Sequence, residues 1–105
     1  MAKAYFMVRA EVSDPTDRAP FDHWYKSDHL PLAVEAFKAN RGWRCWSRID
    51  PAVHIAFYEF DSVERAQAIL ASDAIKALIA DFDKNWGNRV KRTRDILETM
   101  DAVPA

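Results

Sequence analysis

The sequence predicts an α+β fold of order βαββαβ: a four-stranded antiparallel sheet with helices covering one face. Three observations carry this reading. Four short segments rich in aromatic and apolar residues are bounded by turn formers, as strands are. Two longer segments, each following a strand, space their apolar residues by three and four, as helices do. Between the second and third strands stand only Asp50, Pro51 and Ala52, a hairpin-length connection that makes those strands antiparallel neighbours. Two right-handed crossovers through the helical regions then complete the ferredoxin-like arrangement.

Each element has a local cause. From Lys3 to Val12 aromatic and apolar residues dominate, with charges only on odd positions in the second half, which reads as a strand. Ser13 to Ala19 gathers turn formers, and Pro20 stands where a helix can lack an N–H, so the first helix is expected to start near Pro20. Phe21, Tyr25, His29, Leu32 or Ala33, and Ala36 or Phe37 share one helical face. Pro31 cannot donate to the carbonyl of Ser27 and crowds it, which predicts a kink or short break around Asp28 to Leu30. Asn40, Arg41 and Gly42 are the expected helix end. Trp43 to Ile49 and Val53 to Phe60 follow as strands. Asp61 with Glu64 forms a candidate capping box, and Ser72 with Asp73 offers a second start within the same helical region. Ile75, Leu78, Ile79 and Phe82 make its apolar stripe, Gly87 and Asn88 end it, and Val90 to Thr99 is the last strand.

Composition narrows the chemistry. The 105 residues suit a single domain spanning 1–105, and with half of them apolar the core needs no metal or disulfide. One cysteine, Cys45, excludes an internal disulfide and a cysteine-built zinc cage, and fits a reducing cytoplasm. No uncharged run approaches the length of a membrane span or a signal peptide, so no membrane partner is expected. The two glycines, Gly42 and Gly87, cannot build a glycine-rich phosphate loop, and no flavin or nicotinamide cofactor is expected.

A helical layer covers only one face of such a sheet. The first strand presents Phe6, Val8 and Ala10 on one side and Tyr5, Met7, Arg9 and Glu11 on the other. Trp43, Cys45, Ser47 and Ile49 oppose Arg44, Trp46 and Arg48, and Ile55, Phe57 and Glu59 oppose His54, Ala56, Tyr58 and Phe60. Large aromatics on both faces predict that a second copy of the chain covers the open one, giving a homodimer. Scattered surface aromatics on a monomer are the alternative.

The segment from Phe21 to Ala33, Phe-Asp-His-Trp-Tyr-Lys-Ser-Asp-His-Leu-Pro-Leu-Ala, resembles the first-helix signature of the EthD-like branch of the dimeric α+β barrel superfamily. There an aromatic-rich helix start leads to His, one apolar residue, then Pro-Leu. The segment from Phe60 to Asp73 and the later Ala80-Asp81-Phe82 look like that family's second-helix region, a less specific match. The resemblance implies a homodimer whose sheets form a barrel, with a small-molecule pocket between sheet and helices in each subunit. Relatives in the wider superfamily include cofactor-independent isomerases, cyclases and quinone-forming monooxygenases, several using a histidine base.

His29 matches the family's His-x-Pro-Leu position and is the first catalytic candidate, a general acid or base near neutral pH. Its structural alternative is a histidine that satisfies carbonyls freed by Pro31. Tyr25, on the same face, is a candidate to orient a substrate oxygen or share a proton, against the commoner fate of a core aromatic. Trp24, Trp46, Tyr58 and Trp86 are candidate walls for an apolar or aromatic ligand, in a pocket expected to reach roughly 300 Å³. Core or dimer packing explains them, and Trp43, equally well. His23 and His29 are six positions apart, not the three or four that converge on a metal, so no metal site is expected. His54 is expected at a rim, and Cys45 as a small buried hydrophobe. Lys84, Arg89, Lys91, Arg92 and Arg94 are expected at a solvated strand edge or in dimer ion pairs. RNA-recognition motifs share this element order, but Val53, His54 and Ile55 stand where their signature needs a basic residue, glycine and an aromatic. With a net charge of −1, no nucleic-acid partner is expected.

Overall fold

The computed structural model describes residues 2–104. Strands β1 (Ala4–Val12), β2 (Arg41–Trp46), β3 (Val53–Phe60) and β4 (Val90–Glu98) form one antiparallel sheet of order β2-β3-β1-β4. Helices α1 (Pro15–Trp24) and α2 (Leu30–Phe37), then α3 (Val63–Leu70) and α4 (Asp73–Asn85), occupy the two crossovers. This is the predicted ferredoxin-like α+β fold. Among the described residues no helix is long and apolar enough to cross a membrane.

Alternation decides what the helices cover. Ala4, Phe6, Ala10 and Val12 of β1 and His54, Ala56, Tyr58 and Phe60 of β3 are buried beneath Phe21, Tyr25, Ala33, Phe37, Leu78 and Phe82. The opposite face carries Tyr5, Trp43 and Phe57, with Trp43 stacked on Phe57 at 5.4 Å. Cys45 lies on that face and is exposed in the single chain, not buried as expected, because alternation turns it away from the helices.

Several boundaries differ from expectation. The first helix begins at Pro15 rather than near Pro20. Asp14 accepts from the Thr16 N–H, and Pro15 supplies a first helical position that needs no donor. The interruption expected around Asp28 to Leu30 takes the form of a π-helical turn, Tyr25–His29, in which the Leu30 N–H reaches back to the Tyr25 carbonyl. Lys38, at φ 54°, makes the left-handed cap expected of Asn40 to Gly42. Gly42 instead sits within β2, where an added Cβ would stand 2.6 Å from Val34 Cγ2, so a hydrogen there lets α2 lie directly on the sheet. The second strand ends at Trp46 because Ser47 Oγ accepts from the N–H groups of Ile49 and Asp50 and turns the chain. Ser62, not Asp61, caps α3, since Asp61 is engaged by Lys3 and Asn40.

Candidate functional site

The π turn sets the site. Within it Tyr25 and His29, four apart, lie on the buried side together, with 1% and 7% exposure. The Tyr25 ring lies 5.0 Å from the imidazole of His29 and 4.5 Å from that of His54. Its hydroxyl is 3.2 Å from that of Tyr58, which rises from β3 below. Trp24 stacks on His29 at 4.6 Å and closes it from outside.

Burial governs the protonation of this cluster. It pushes the His29 imidazole down to about 4, with Asp81 of α4 opposing the shift and Arg92 adding to it. Asp81 Oδ2 stands 3.7 Å from His29 Nδ1, an ion-pair distance too long for a hydrogen bond, and Nδ1 has no other partner. His29 is therefore neutral at pH 7, with a carboxylate in place for the imidazolium. Burial pushes Tyr25 up to about 12 and Tyr58 well above its ordinary value, so both hydroxyls remain protonated donors.

His54 does not sit at a rim. It is fully buried under α1 because β3 turns it inward together with Ala56 and Tyr58, and burial with the nearby Arg44 cation lowers it to about 4. Arg44 Nη1 and Trp46 Nε1 both donate to Asp22 of α1, at 2.6 and 2.7 Å. Trp46 and Trp86 pack on Phe21, at 6.0 and 5.2 Å, rather than beside the Tyr25 hydroxyl. His23 is exposed on α1.

Between sheet and helices, Tyr25, His29, Tyr58, Phe82, Arg92 and Arg94 border a cavity of about 30 Å³. That is about the room of one water and far short of the expected 300 Å³, and Phe37, Ile75, Leu78 and Ile79 complete its apolar lining. Arg94 also borders an open groove of about 300 Å³ between Leu70 and Ile96. The sequence reading did not name Asp81 as a site residue, and it placed Arg92 and Arg94 at a solvated strand edge or in dimer ion pairs; β4 is an edge strand and Arg94 is exposed, whereas Arg92 is only 15% exposed. The basic cluster is in fact divided. Register pairs Ala10 with Arg92 and Val8 with Arg94, which puts both side chains on the helix-covered side. Lys91 pairs with Glu11 on the other side, while Arg89 bonds Asp17 at 2.9 Å and lies over Trp86. The signal was the alternation of β4, usable once its pairing with β1 is known.

No protein-family model matches the chain, and no curated protein sequence matches it. Solved structures do. An EthD-family protein from Bacillus halodurans superposes with a TM-score of 0.71 at 22% identity, over 93% of this chain and 99% of its own. SnoaB, a cofactor-independent oxygenase from Streptomyces nogalater, gives 0.71 at 11% identity over 98% of each chain. A dimeric ferredoxin-like protein from an uncultured marine organism gives 0.57 at 14% identity, over 97% of this chain and all of that one. The chain has the ferredoxin-like α+β fold that an EthD-family protein and a cofactor-independent oxygenase also have.

Proposed function

We propose that the chain is an EthD-like enzyme that acts, without cofactor, on a small apolar or aromatic carbonyl compound, by isomerisation, cyclisation or elimination. The observation that carries this reading is the convergence of one neutral imidazole and two protonated phenols on a single cavity. His29 takes a proton from the carbon beside the carbonyl at Nε2, the nitrogen not turned to Asp81. The electron pair moves onto the carbonyl oxygen, Tyr25 donates a hydrogen bond to it, and Asp81 steadies the imidazolium until the proton is returned. Tyr58 orients the Tyr25 hydroxyl. The body of the substrate occupies the groove beside Leu70 and Ile96, because the inner cavity admits no more than a small reacting group.

The enzyme works as a homodimer, the open sheet face with Trp43 and Phe57 being covered by a second copy. A non-catalytic dimeric binding protein is the second reading, favoured by the narrowness of the cavity. One variant separates the two. Thermal-shift screening of aromatic acids, lactones and polyketide-like compounds supplies a substrate, and His29→Gln is then assayed for turnover and stability. Loss of about a hundredfold or more in rate, per folded molecule, supports the base. Unchanged turnover with a lower melting temperature leaves His29 a structural residue.

A further inference from the structure

The inward-facing arginines are the feature the proposed proton transfer leaves unused. A guanidinium on the covered side of a sheet is desolvated and needs compensation. Arg92 is only 15% exposed, with its guanidinium carbon 3.9 Å over the Phe82 ring. Of its five N–H donors, one bonds Asp83, at 2.6 Å, and no other side-chain acceptor among the described residues takes a hydrogen bond from it. Arg94 borders the same cavity and has no carboxylate within 4 Å among the described residues. Burial lowers the Arg92 pKa, with Arg94's positive charge adding to the shift and Asp83 opposing it. Asp81 and Asp83 sit at the rim with 39% and 54% exposure, where water screens them, and Asp95 borders the groove beside Arg94. The lining of the inner cavity, among the described residues, carries these two cations and no carboxylate.

We infer that the site takes an acid: Arg92 and Arg94 together hold a carboxylate at the junction of the inner cavity and the groove, and the apolar body of the ligand lies against Leu70 and Ile96. This rests on the reading of the cavity as a ligand site. A planar carboxylate matches the guanidinium fork, accepting two parallel hydrogen bonds from one arginine and leaving its outer lone pairs for the second. The position of Arg94, shared by cavity and groove, places the anion where a ligand passes from one to the other. Both arginines lie on the helix-covered side and not on the open sheet face that a second copy would cover, Arg92 largely buried and Arg94 exposed at the mouth.

The test is direct binding to the wild-type protein, by calorimetry, of benzoate and 1-naphthoate against benzamide and 1-naphthamide, which have nearly the same shape without the charge. Each acid is expected to bind at least tenfold tighter than its amide. Arg94→Gln, an exposed side chain whose loss leaves the core intact, and Arg92→Gln are each expected to abolish that preference while amide affinity stays within about twofold. Arg92→Lys keeps the charge and loses the fork, and is expected to recover only part of the preference. Equal binding of acid and amide overturns the inference and leaves the ligand site standing. Absence of binding by all four compounds overturns both. Equal competition by inorganic phosphate, or an acid preference that survives in both glutamine variants, also overturns it, since the arginine pair would then be a general anion surface or the preference would arise elsewhere.

Discussion

Acidification from pH 7 to pH 5 should remove a large part of the stability of this fold, and two buried histidines are the cause. An ordinary histidine titrates near 6.5, whereas His29 and His54 are pushed to about 4 by burial. Between those values the unfolded chain binds protons that the folded one refuses, so stability rises with pH there and is lost as the pH falls below about 6.5. Each group then contributes about 3 kcal/mol at pH 7, and through the middle of the window the two together give a slope of about 2.7 kcal/mol per pH unit. The total rivals the whole stability of a typical small domain, about 5–15 kcal/mol. The charged neighbours are Asp81 and Arg92 at His29, and Arg44, Asp22 and, once protonated, His29 at His54. Asp22 is itself held below the ordinary carboxylate range by Arg44 and Trp46, so its contribution is lost only below about pH 4 and does not confuse the window. Urea unfolding followed by tryptophan fluorescence, at fixed protein concentration and at pH 7.5, 6.5, 5.5 and 5.0, measures the slope. His54→Gln and His29→Gln should each halve it, whatever they do to stability at pH 7.5. A free energy of unfolding that is flat between pH 7 and 5, or a wild-type slope in both variants, would refute the argument that burial holds these rings neutral.

Four further outcomes follow from particular contacts. At alkaline pH, Tyr25 and Tyr58 should resist ionisation until the fold opens, and the raised Tyr25 implies stability lost as the pH climbs from 10 towards 12; absorbance titration should show their ionisation coinciding with unfolding. Gly42→Ala drives a methyl against Val34 and should cost about 1–3 kcal/mol, measured by chemical unfolding, even though alanine is otherwise harmless on a strand. Asp22→Ala removes the acceptor of both Arg44 and Trp46, leaves a cation beside His54, and should cost about 2–3 kcal/mol, again by chemical unfolding. Phe57→Arg breaks the stack with Trp43 on the open face and should convert a dimer to a folded monomer in sedimentation at micromolar concentration; a wild type that sediments as a monomer sinks the dimer proposal.

The order of elements was legible in the residues themselves, because strand and helix periods are properties of short segments. Phe6, Val8 and Ala10 alternate, Ile75, Leu78 and Phe82 recur at helical spacing, and both patterns survive intact in the fold. Tyr25 and His29 were recognisable as neighbours on one face for the same reason. Local chemistry was less decisive at boundaries, where Asp14 competes with later turn formers for the helix start and Ser62 with Asp61 for the cap. Tertiary structure alone decided the rest. Which side of β4 is inside depends on a register with β1 that no local pattern states, and that register carries Arg92 and Arg94 into the site and Lys91 out of it. Likewise His54 is buried, and its imidazole neutral, because α1 lies over β3, a contact between residues far apart in the chain. The π turn extends the interruption expected at Asp28 to Leu30 back to Tyr25, and the size of the cavity depends on how the side chains of α4 line it. Period and propensity act within a few residues, whereas inward charge, proton affinity and empty volume are set by whatever packs against them.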